Sequence, residues 1–347
     1  MRRLPTDPGT DRYPPRSAIE EWPSERLEAA APLDPVPEGK EVFAAVRSLK
    51  KSFGPRRILR GINCDIYRGE TFVILGGSGS GKTTLLKHLM GMLKPDFGTI
   101  TIGGRDLAKA SDTEMESYRR TMGVVFQNAA LLNSLSVLEN VGLPLIEVDH
   151  CPPAEVEARV TAALKRVFLP AEEILHLKPA DLSGGMRKRV GIARAIIQDP
   201  QLIFYDEPTT GLDPVTVNGV NELTLDLQQS LGVTSVVITH DLDAAYMIAD
   251  RIAVLYKGRF IAIGNQDAIA ADPHPVLRQL LTGSTIGPLT EGYADTGDRP
   301  RPTPKGSRRR SSTDGDSIPS IPSIPSSPSA SSPASGLTGP EPTHGQS

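Results

Sequence analysis

A glycine-rich octapeptide, Gly76–Thr83, constrains this chain more than any other segment. It follows the apolar run Phe72–Leu75 and precedes the helix-like stretch Leu85–Met90, so a buried strand, a glycine loop and a helix succeed one another. The residues follow the spacing G-x-x-x-x-G-K-[ST]. Because glycines lack side chains, backbone N–H groups can point into such a loop, and the next helix adds its positive end. The pattern predicts a loop that holds phosphate groups.

Two side chains at the end of this loop predict what its ligand is. Lys82 is placed to reach the β- and γ-phosphates of a nucleoside triphosphate, and the Thr83 hydroxyl is placed to ligate Mg²⁺. The other residues expected to bind the nucleotide are Gly76, Gly77, Ser78, Gly79, Ser80, Gly81 and Thr84. The alternative is a flexible glycine and serine turn, which the intact strand–loop–helix frame disfavours. The sequence therefore predicts ATP and Mg²⁺ as ligands.

Strand-like runs alternate with helix-like runs around this loop, which predicts an α/β fold with a mainly parallel sheet. Two early runs, Val42–Val46 and Ile62–Ile66, are separated by turn residues and predict an antiparallel β region. Residues from about 127 to 194 lack the strand alternation and predict an inserted helical subdomain. Further strands are expected at Thr71–Leu75, Met122–Phe126, Leu202–Asp206, Thr234–Thr239 and Ile252–Tyr256, and helices at Lys82–Leu93, Pro153–Phe168, Ser183–Gln198, Pro214–Leu231 and Leu242–Ala249.

The composition of the chain separates a central unit from its two ends. Residues 1–38 and 284–347 are rich in proline and lack a periodic apolar pattern. Ordering them would cost about 1–2 kcal/mol per residue in backbone entropy, with little apolar burial to offset it. We expect both ends to be disordered and residues 39–283 to form one ATP-binding domain.

Charge and cysteine content exclude several classes of function. The 38 basic and 41 acidic residues nearly balance, so no basic footprint predicts binding to nucleic acid. Cys64 and Cys151 are the only cysteines, and their spacing fits no metal site and favours a reducing compartment. No stretch approaches the roughly 18 to 20 apolar residues of a membrane span. If the protein works at a membrane, another subunit must supply the spans.

A second motif, Leu202–Glu207, is an apolar strand that ends in two acids. Open α/β sheets bind ligands at the carboxyl ends of their strands, so these acids should lie beside the phosphate loop. Asp206 is then placed to hold Mg²⁺, and Glu207 to polarise the attacking water. The alternative, a strand that ends in solvated acids, is common in isolation and is disfavoured by the phosphate loop upstream.

A third motif, Leu182–Met186, reads Leu-Ser-Gly-Gly-Met and is followed by three basic residues. Ser183 is a natural N-cap for the helix that follows. Three cations in a first helical turn oppose the helix dipole, which prefers anions there. They are tolerable on a solvated face, and they also suit a helix end that meets a phosphate; the Leu-Ser-Gly-Gly sequence favours the second interpretation.

Roughly residues 42–283 resemble the nucleotide-binding subunits of ABC transporters. The motifs occur in the order of that family: the phosphate loop, Gln127, Leu182–Met186, Asp206-Glu207, Gly211–Asp213 and Thr239-His240. Phe53 stands where the family places an aromatic ring against adenine, with a core phenylalanine as the alternative.

The resemblance implies that two such chains pair head to tail around two ATP molecules. Since this chain has one phosphate loop and one Leu-Ser-Gly-Gly motif, a homodimer with two equivalent sites is expected. Ser183, Gly184 and Gly185 would then contact the nucleotide of the partner, and Asp213 would communicate across the dimer.

Three residues would carry the hydrolysis by the same resemblance. Glu207 would be the catalytic base, and His240 would contact the γ-phosphate. Gln127 would sense Mg²⁺ and the attacking water, joining Thr83 and Asp206 around the metal.

The motif from Leu182 to Val190, with Met186 at its fifth position, resembles the ATPases of Mla-type systems. Such systems move phospholipid between bacterial membranes through an integral permease and a mammalian-cell-entry-type lipid-binding subunit. The resemblance implies a position at the cytoplasmic face of the inner membrane, held there by the permease. In ABC transporters the region after Gln127 receives a helix of the permease, so some of its leucines, among them Leu132, are expected to stay exposed for docking; the alternative is a local core of the helical subdomain. Two alternatives remain: an importer of a polar solute such as an amino acid, and an ABC ATPase outside transport.

Overall fold

Two β-sheets form the framework of the chain in the computed structural model, which describes residues 30–33, 35–284 and 287–290. The strands are β1 (Val42–Phe53), β2 (Arg56–Tyr67), β3 (Thr71–Leu75), β4 (Phe97–Ile102), β5 (Arg105–Asp106), β6 (Met122–Val125), β7 (Leu202–Asp206), β8 (Thr234–Thr239), β9 (Arg251–Tyr256) and β10 (Arg259–Gly264). The helices are α1 (Lys82–Leu89), α2 (Asp112–Arg120), α3 (Val137–Glu147), α4 (Pro153–Arg166), α5 (Ala171–Ile174), α6 (Gly184–Ile196), α7 (Pro214–Leu231), α8 (Leu242–Ile248), α9 (Gln266–Ala271) and α10 (Pro275–Thr282).

The larger sheet has the strand order β10-β9-β3-β8-β7-β6. All neighbours in it are parallel except β9 and β10, which pair antiparallel. The smaller sheet, β2-β1-β4-β5, is antiparallel throughout. The fold class expected from the sequence, α/β with an antiparallel N-terminal region, is therefore confirmed.

Some expected elements have different bounds, and others were not expected at all. The predicted hairpin strands extend to Phe53 and from Arg56. Helix α1 ends at Leu89 rather than Leu93, because Gly91 adopts a φ of +66° that a helix cannot continue. The elements that the sequence did not predict are β4, β5, β10, α2, α3, α5, α9 and α10.

The segment expected to be a helical subdomain contains α3, α4, α5 and most of α6. Helix α3 begins with a reciprocal capping pair, in which Ser136 accepts from the Glu139 N–H and the Glu139 carboxylate accepts from the Ser136 N–H. The helices bury their apolar faces against one another and against one face of the larger sheet, in a core that includes Val141, Val160 and Val190. A second core lies between the two sheets.

Sheet order places three loops side by side at the carboxyl edge of the larger sheet. Strand β3 leads into the phosphate loop, β8 leads into His240, and β7 leads into Glu207. Because β8 pairs with both β3 and β7, the three loops are neighbours. All five residues of β3 are buried, so the phosphate loop rises from a rigid base.

Most residues of the two ends expected to be disordered lie outside the described part of the chain. Of those that are described, Ala31 donates its N–H to the Phe260 carbonyl at 2.7 Å. The Gln279 side chain accepts from the Leu289 N–H at 2.8 Å and donates to the Thr290 hydroxyl at 3.1 Å. Among the described helices, none has the length and apolarity that a bilayer crossing requires. Cys64 and Cys151 are both free thiols.

Candidate functional site

Two glycines, Gly76 and Gly81, set the shape of the phosphate loop. A β-carbon on Gly76 would lie 2.5 Å from the Leu255 carbonyl oxygen and 2.9 Å from the Ser80 Oγ. Gly81 adopts a φ of +111° just before α1 begins. The Ser80 Oγ is buried and has no hydrogen-bond partner among the described residues. The loop thus curls tightly and keeps a polar atom within it.

Lys82, the first residue of α1, reaches back across the loop. Its Nζ donates to the Gly76 carbonyl at 2.7 Å and to the Gly77 carbonyl at 3.1 Å. Burial lowers the pKa of this ammonium group, while the carboxylates of Glu207 and Asp206 oppose that shift. A buried ammonium held by two carbonyls of the loop, with the Glu207 carboxylate 3.8 Å away, is placed to bind a multiply charged anion.

Asp206 and Glu207 stand at the end of β7, as the sequence predicts. Burial raises the pKa of Asp206, and the negative charge of Glu207 adds to the rise. Glu207 itself has a φ of +49°, an uncommon conformation for a residue with a side chain. Its N–H donates to the Ile238 carbonyl at 2.9 Å, which anchors this turn to β8.

The Glu207 carboxylate is held at both of its oxygens. The Thr210 hydroxyl donates to Oε2 at 2.9 Å, and the His240 Nδ1 lies 2.5 Å from the same atom. The Lys82 Nζ lies 3.8 Å from Oε1. The Glu207 carboxylate therefore directs Oε2 toward Thr210 and His240, and Oε1 toward Lys82.

These side chains share one open cleft of about 690 Å³. The loop from Gly76 to Thr84, Glu207 and His240 line this cleft, and so do Arg56, Ile58 and Leu280. The structure therefore brings the predicted loop, base and histidine together. Arg56, Ile58 and Leu280 were not predicted to line it, because they come from β2 and α10, which carry no motif.

Other predicted site residues lie outside this cleft. Phe53 has 51% of its surface exposed, with the Lys51 ammonium 5.7 Å from its ring centre. Gln127 is exposed, and its backbone carbonyl accepts a hydrogen bond from the Lys188 ammonium. The Lys188 contact is another feature that sequence reasoning missed.

The Leu-Ser-Gly-Gly segment and Asp213 also lie outside the cleft of their own chain. Ser183 and Gly184 are exposed and Gly185 is partly buried. The Ser183 Oγ accepts from the Met186 N–H at 3.2 Å and so caps α6 as predicted. Asp213 caps α7 by accepting from the Val215 and Thr216 N–H groups, both at 3.1 Å. The hydrogen bond from the Thr216 hydroxyl, together with those two, lowers the pKa of the Asp213 carboxyl group.

The donor set fits a nucleoside triphosphate with a hard divalent cation. The loop supplies backbone N–H groups and the Lys82 ammonium for phosphates, and the buried Ser80 Oγ remains available to a polar ligand. The Thr83 hydroxyl and the Asp206 carboxylate are oxygen ligands of the kind that Mg²⁺ prefers. Within the described residues, no cluster of three or more His, Cys, Asp or Glu forms a separate metal site.

Comparisons with known proteins identify the family of this chain. Residues 59–210 match the family described as ABC transporter. The chain is 38% identical over 248 residues to the probable ribonucleotide transport ATP-binding protein mkl of Mycobacterium leprae, covering 72% of this chain and 71% of that relative. It is 39% identical over 251 residues to the methionine import ATP-binding protein MetN of Bordetella pertussis, covering 71% and 68%.

Solved structures show the same likeness. The ATP-binding cassette MJ0796, solved as a dimer in a post-hydrolysis state bound to ADP and Pi, matches with a TM-score of 0.59 and 34% identity over 64% of this chain and 98% of that chain. The cbiO1 protein of Clostridium perfringens, part of the ABC transporter complex cbiONQ, matches with a TM-score of 0.62 and 33% identity over 67% and 92%.

Proposed function

The chain belongs to the ABC transporter family as an ATP-binding, ATP-hydrolysing subunit, and we propose that it works as a homodimer attached to a membrane permease. The observation that carries the residue roles proposed here is the convergence of Lys82, Glu207 and His240 on one cleft beneath the phosphate loop. In that cleft the Glu207 carboxylate, proposed to activate water, has on one side the Lys82 ammonium, proposed to bind phosphate, and on the other the His240 ring.

Nucleotide binding is assigned to the loop and to residues around its lysine. Backbone N–H groups from Gly76 to Thr84 and the Lys82 ammonium bind the phosphates. The Thr83 hydroxyl and Asp206 would hold Mg²⁺, with Gln127 joining them. The bound ion would neutralise negative charge on the phosphate oxygens. Phe53 is assigned to the adenine ring, against which an exposed aromatic face can stack.

The hydrolytic step is assigned to Glu207. Its Oε2 is engaged by Thr210 and His240, so Oε1 is the atom that accepts a proton from the attacking water. Thr210 and His240 restrict the rotation of the carboxylate, which keeps Oε1 directed into the cleft. His240 additionally contacts the γ-phosphate in this proposal.

The dimer completes each site with residues from the partner. Ser183, Gly184, Gly185 and Asp213 lie outside the cleft of their own chain, so we assign them to the nucleotide of the partner chain. A C₂ pair gives two equivalent sites. The similarity to MJ0796, which was solved as a dimer, supports this arrangement.

We assign phospholipid, or a related hydrophobic compound, as the transported substrate. The support is the resemblance of the Leu182–Val190 motif to Mla-type ATPases. In this proposal an integral permease holds the dimer at the cytoplasmic face of the inner membrane, and a mammalian-cell-entry-type subunit carries the lipid. A second candidate is an importer of a polar solute, which the names of the mkl and MetN relatives favour.

The test is purification of a tagged Glu207→Gln variant from native membranes with MgATP, followed by mass spectrometry of proteins and lipids. A permease, a mammalian-cell-entry-type partner and enriched phospholipid are expected. A permease with a soluble polar-solute receptor would overturn the lipid assignment and favour the second candidate. The Lys82→Met variant, which loses the phosphate contact, is the matched control for nucleotide-dependent recovery.

A further inference from the structure

The strongest feature that the proposed function leaves unused is a contact between helix α6 and the segment 127–130. Three residues on one face of α6, spaced three apart, touch this segment: Lys188, Gly191 and Arg194. We name these three residues the α6 clamp. Together they contact the backbone of every residue of the segment except Asn128.

Each member of the clamp contributes in a different way. The Lys188 ammonium donates to the Gln127 carbonyl. The Arg194 guanidinium donates to the Ala129 carbonyl at 2.7 Å and to the Ala130 carbonyl at 2.9 Å. A β-carbon on Gly191 would lie 3.1 Å from the Ala129 Cβ, so only glycine lets the segment approach this closely without a shift.

The segment that the clamp holds is conformationally strained. Ala129 and Ala130 have φ values of +57° and +48°, and left-handed backbone costs roughly 1–2 kcal/mol for a residue with a side chain. Two such residues in succession persist only where surrounding contacts fix them. The three charged hydrogen bonds from α6 to the carbonyls of Gln127, Ala129 and Ala130 supply those contacts.

Burying the Lys188 ammonium costs desolvation free energy, and the hydrogen bond that it makes is to the Gln127 carbonyl. Lys188 is only 6% exposed, and burial lowers the pKa of its ammonium group while the charge of Glu207 opposes the shift. A buried cation is costly, and a neutral donor would satisfy one carbonyl at lower cost. The buried ammonium therefore commits its donor to the Gln127 carbonyl, at a cost that indicates a role for this contact beyond stability.

We propose that Lys188 is a positioning residue for hydrolysis: with Gly191 and Arg194 it fixes the Gln127 backbone, and so sets where the Gln127 side chain meets the site. The inference rests on the role that the proposed function gives to Gln127. It also means that one helix, α6, carries the Leu-Ser-Gly-Gly motif at its start and holds Gln127 through its first turns.

The first test is hydrogen exchange of Lys188→Met in the nucleotide-free full chain. Methionine keeps the apolar stem and removes the donor. The Ala129 N–H, which donates to the Phe126 carbonyl at 2.9 Å, should exchange faster than in the wild type, while β7 is unchanged. Lys165→Met, which removes an exposed ammonium that pairs with Glu172, is the control and should leave this exchange unchanged. Unchanged exchange at Ala129 in Lys188→Met overturns the clamp.

The second test is a double-mutant cycle on ATPase activity with Lys188→Met and Gln127→Ala. We expect Lys188→Met to lower kcat about tenfold with little change in KM, and Lys188→Gln, which retains a donor, to recover most of the loss. If Lys188 acts through Gln127, the double variant matches Gln127→Ala within about twofold. Losses that multiply overturn the inference.

The two tests separate failure of the clamp from failure of the proposed role of Gln127. If Gln127→Ala keeps full kcat, the role given to Gln127 is wrong, and the positioning inference is overturned with it. Faster exchange at Ala129 would in that case still establish the clamp as a structural contact. Normal activity of Gln127→Ala and unchanged exchange would overturn both.

Discussion

Removal of the Thr210 hydroxyl is the sharpest test of the assignment of Glu207 as the base. Thr210→Val keeps the shape of the side chain and deletes the donor that lies 2.9 Å from the Glu207 Oε2. The carboxylate then retains only the His240 ring on that oxygen. It gains rotational freedom, so Oε1 spends less time in the orientation that accepts a proton.

The size of the effect follows from the environment of the bond. A hydrogen bond to a charged group contributes about 1.5–3 kcal/mol. Because the Glu207 side chain is 16% exposed and His240 remains as a second donor, the lower end of that range applies. A loss of about 1.5 kcal/mol at the transition state corresponds to roughly a tenfold decrease in kcat. KM for ATP should change little, since Thr210 is not among the residues that line the cleft.

The assay is steady-state ATPase of the purified full chain, with Thr210→Ser as the matched control. Serine keeps the hydroxyl and should retain most of the activity, and thermal unfolding midpoints should agree within about 4 °C. Full activity of Thr210→Val would refute the view that this bond orients the base. Equal loss in Thr210→Ser would show that the methyl group, and not the hydroxyl, is required.

Three further predictions follow from the site. Asp206→Asn should raise the thermal unfolding midpoint of the nucleotide-free protein at neutral pH, because burial and Glu207 raise the pKa of Asp206 and disfavour its charged form. The gain in midpoint should shrink as the pH falls toward that pKa, where Asp206 becomes protonated. A lower midpoint at neutral pH would contradict this prediction. Leu132→Glu should abolish transport in membrane vesicles and spare basal ATPase, because 47% of the Leu132 surface is exposed and we expect the permease to bind there; unchanged transport would contradict this expectation. Gly76→Ala should cost about 1–3 kcal/mol of unfolding free energy and abolish nucleotide binding, because its Cβ would meet a β9 carbonyl oxygen at 2.5 Å. Gly77→Ala, whose Cβ would meet nothing within 4 Å, should keep its stability in the same denaturant titration.

Three of the buried parallel strands were predicted to the residue, whereas β6 and β9 each differ from the prediction by one residue at one end. The predicted and observed bounds agree for Thr71–Leu75, Leu202–Asp206 and Thr234–Thr239. Each is a short, largely apolar run, as expected for a parallel strand that is buried on both faces. Helix Pro214–Leu231 agrees as well, since Asp213 caps its start and Gly232 ends it in the left-handed conformation.

Elements with a weaker pattern were missed for identifiable reasons. Helix α2 buries only Met115 and Tyr118 among mostly polar residues, so its apolar periodicity is faint. Helix α3 carries Pro144 in its interior, which normally signals a break. Strand β4 begins with the exposed Phe97 and buries only Ile100 and Ile102, so its apolar pattern is weak, and its pairing with β1 holds it in place.

The candidate site was predictable where its residues belong to a motif and not where they meet through packing. Glu207 and His240 follow strands whose order brings them together. The Lys188 contact with the Gln127 carbonyl joins positions in different helices and loops, and no local pattern signals it. Thr210 lies three residues after Glu207, and its hydroxyl reaches the Glu207 carboxylate because the chain turns at Glu207. The sequence alone did not show this turn, so the contact was not predicted.

The parallel pairing of β3 has a consequence for the order in which the protein is made. Strand β3 is an early element, yet its two neighbours in the sheet are β8 and β9, which the ribosome synthesises far later. Strand β3 cannot acquire its hydrogen-bonding partners on the nascent chain until those late strands have emerged, and pairing over such a sequence separation is slow. The phosphate loop at the end of β3 therefore cannot take its final place on a growing polypeptide until β8 and β9 have been synthesised.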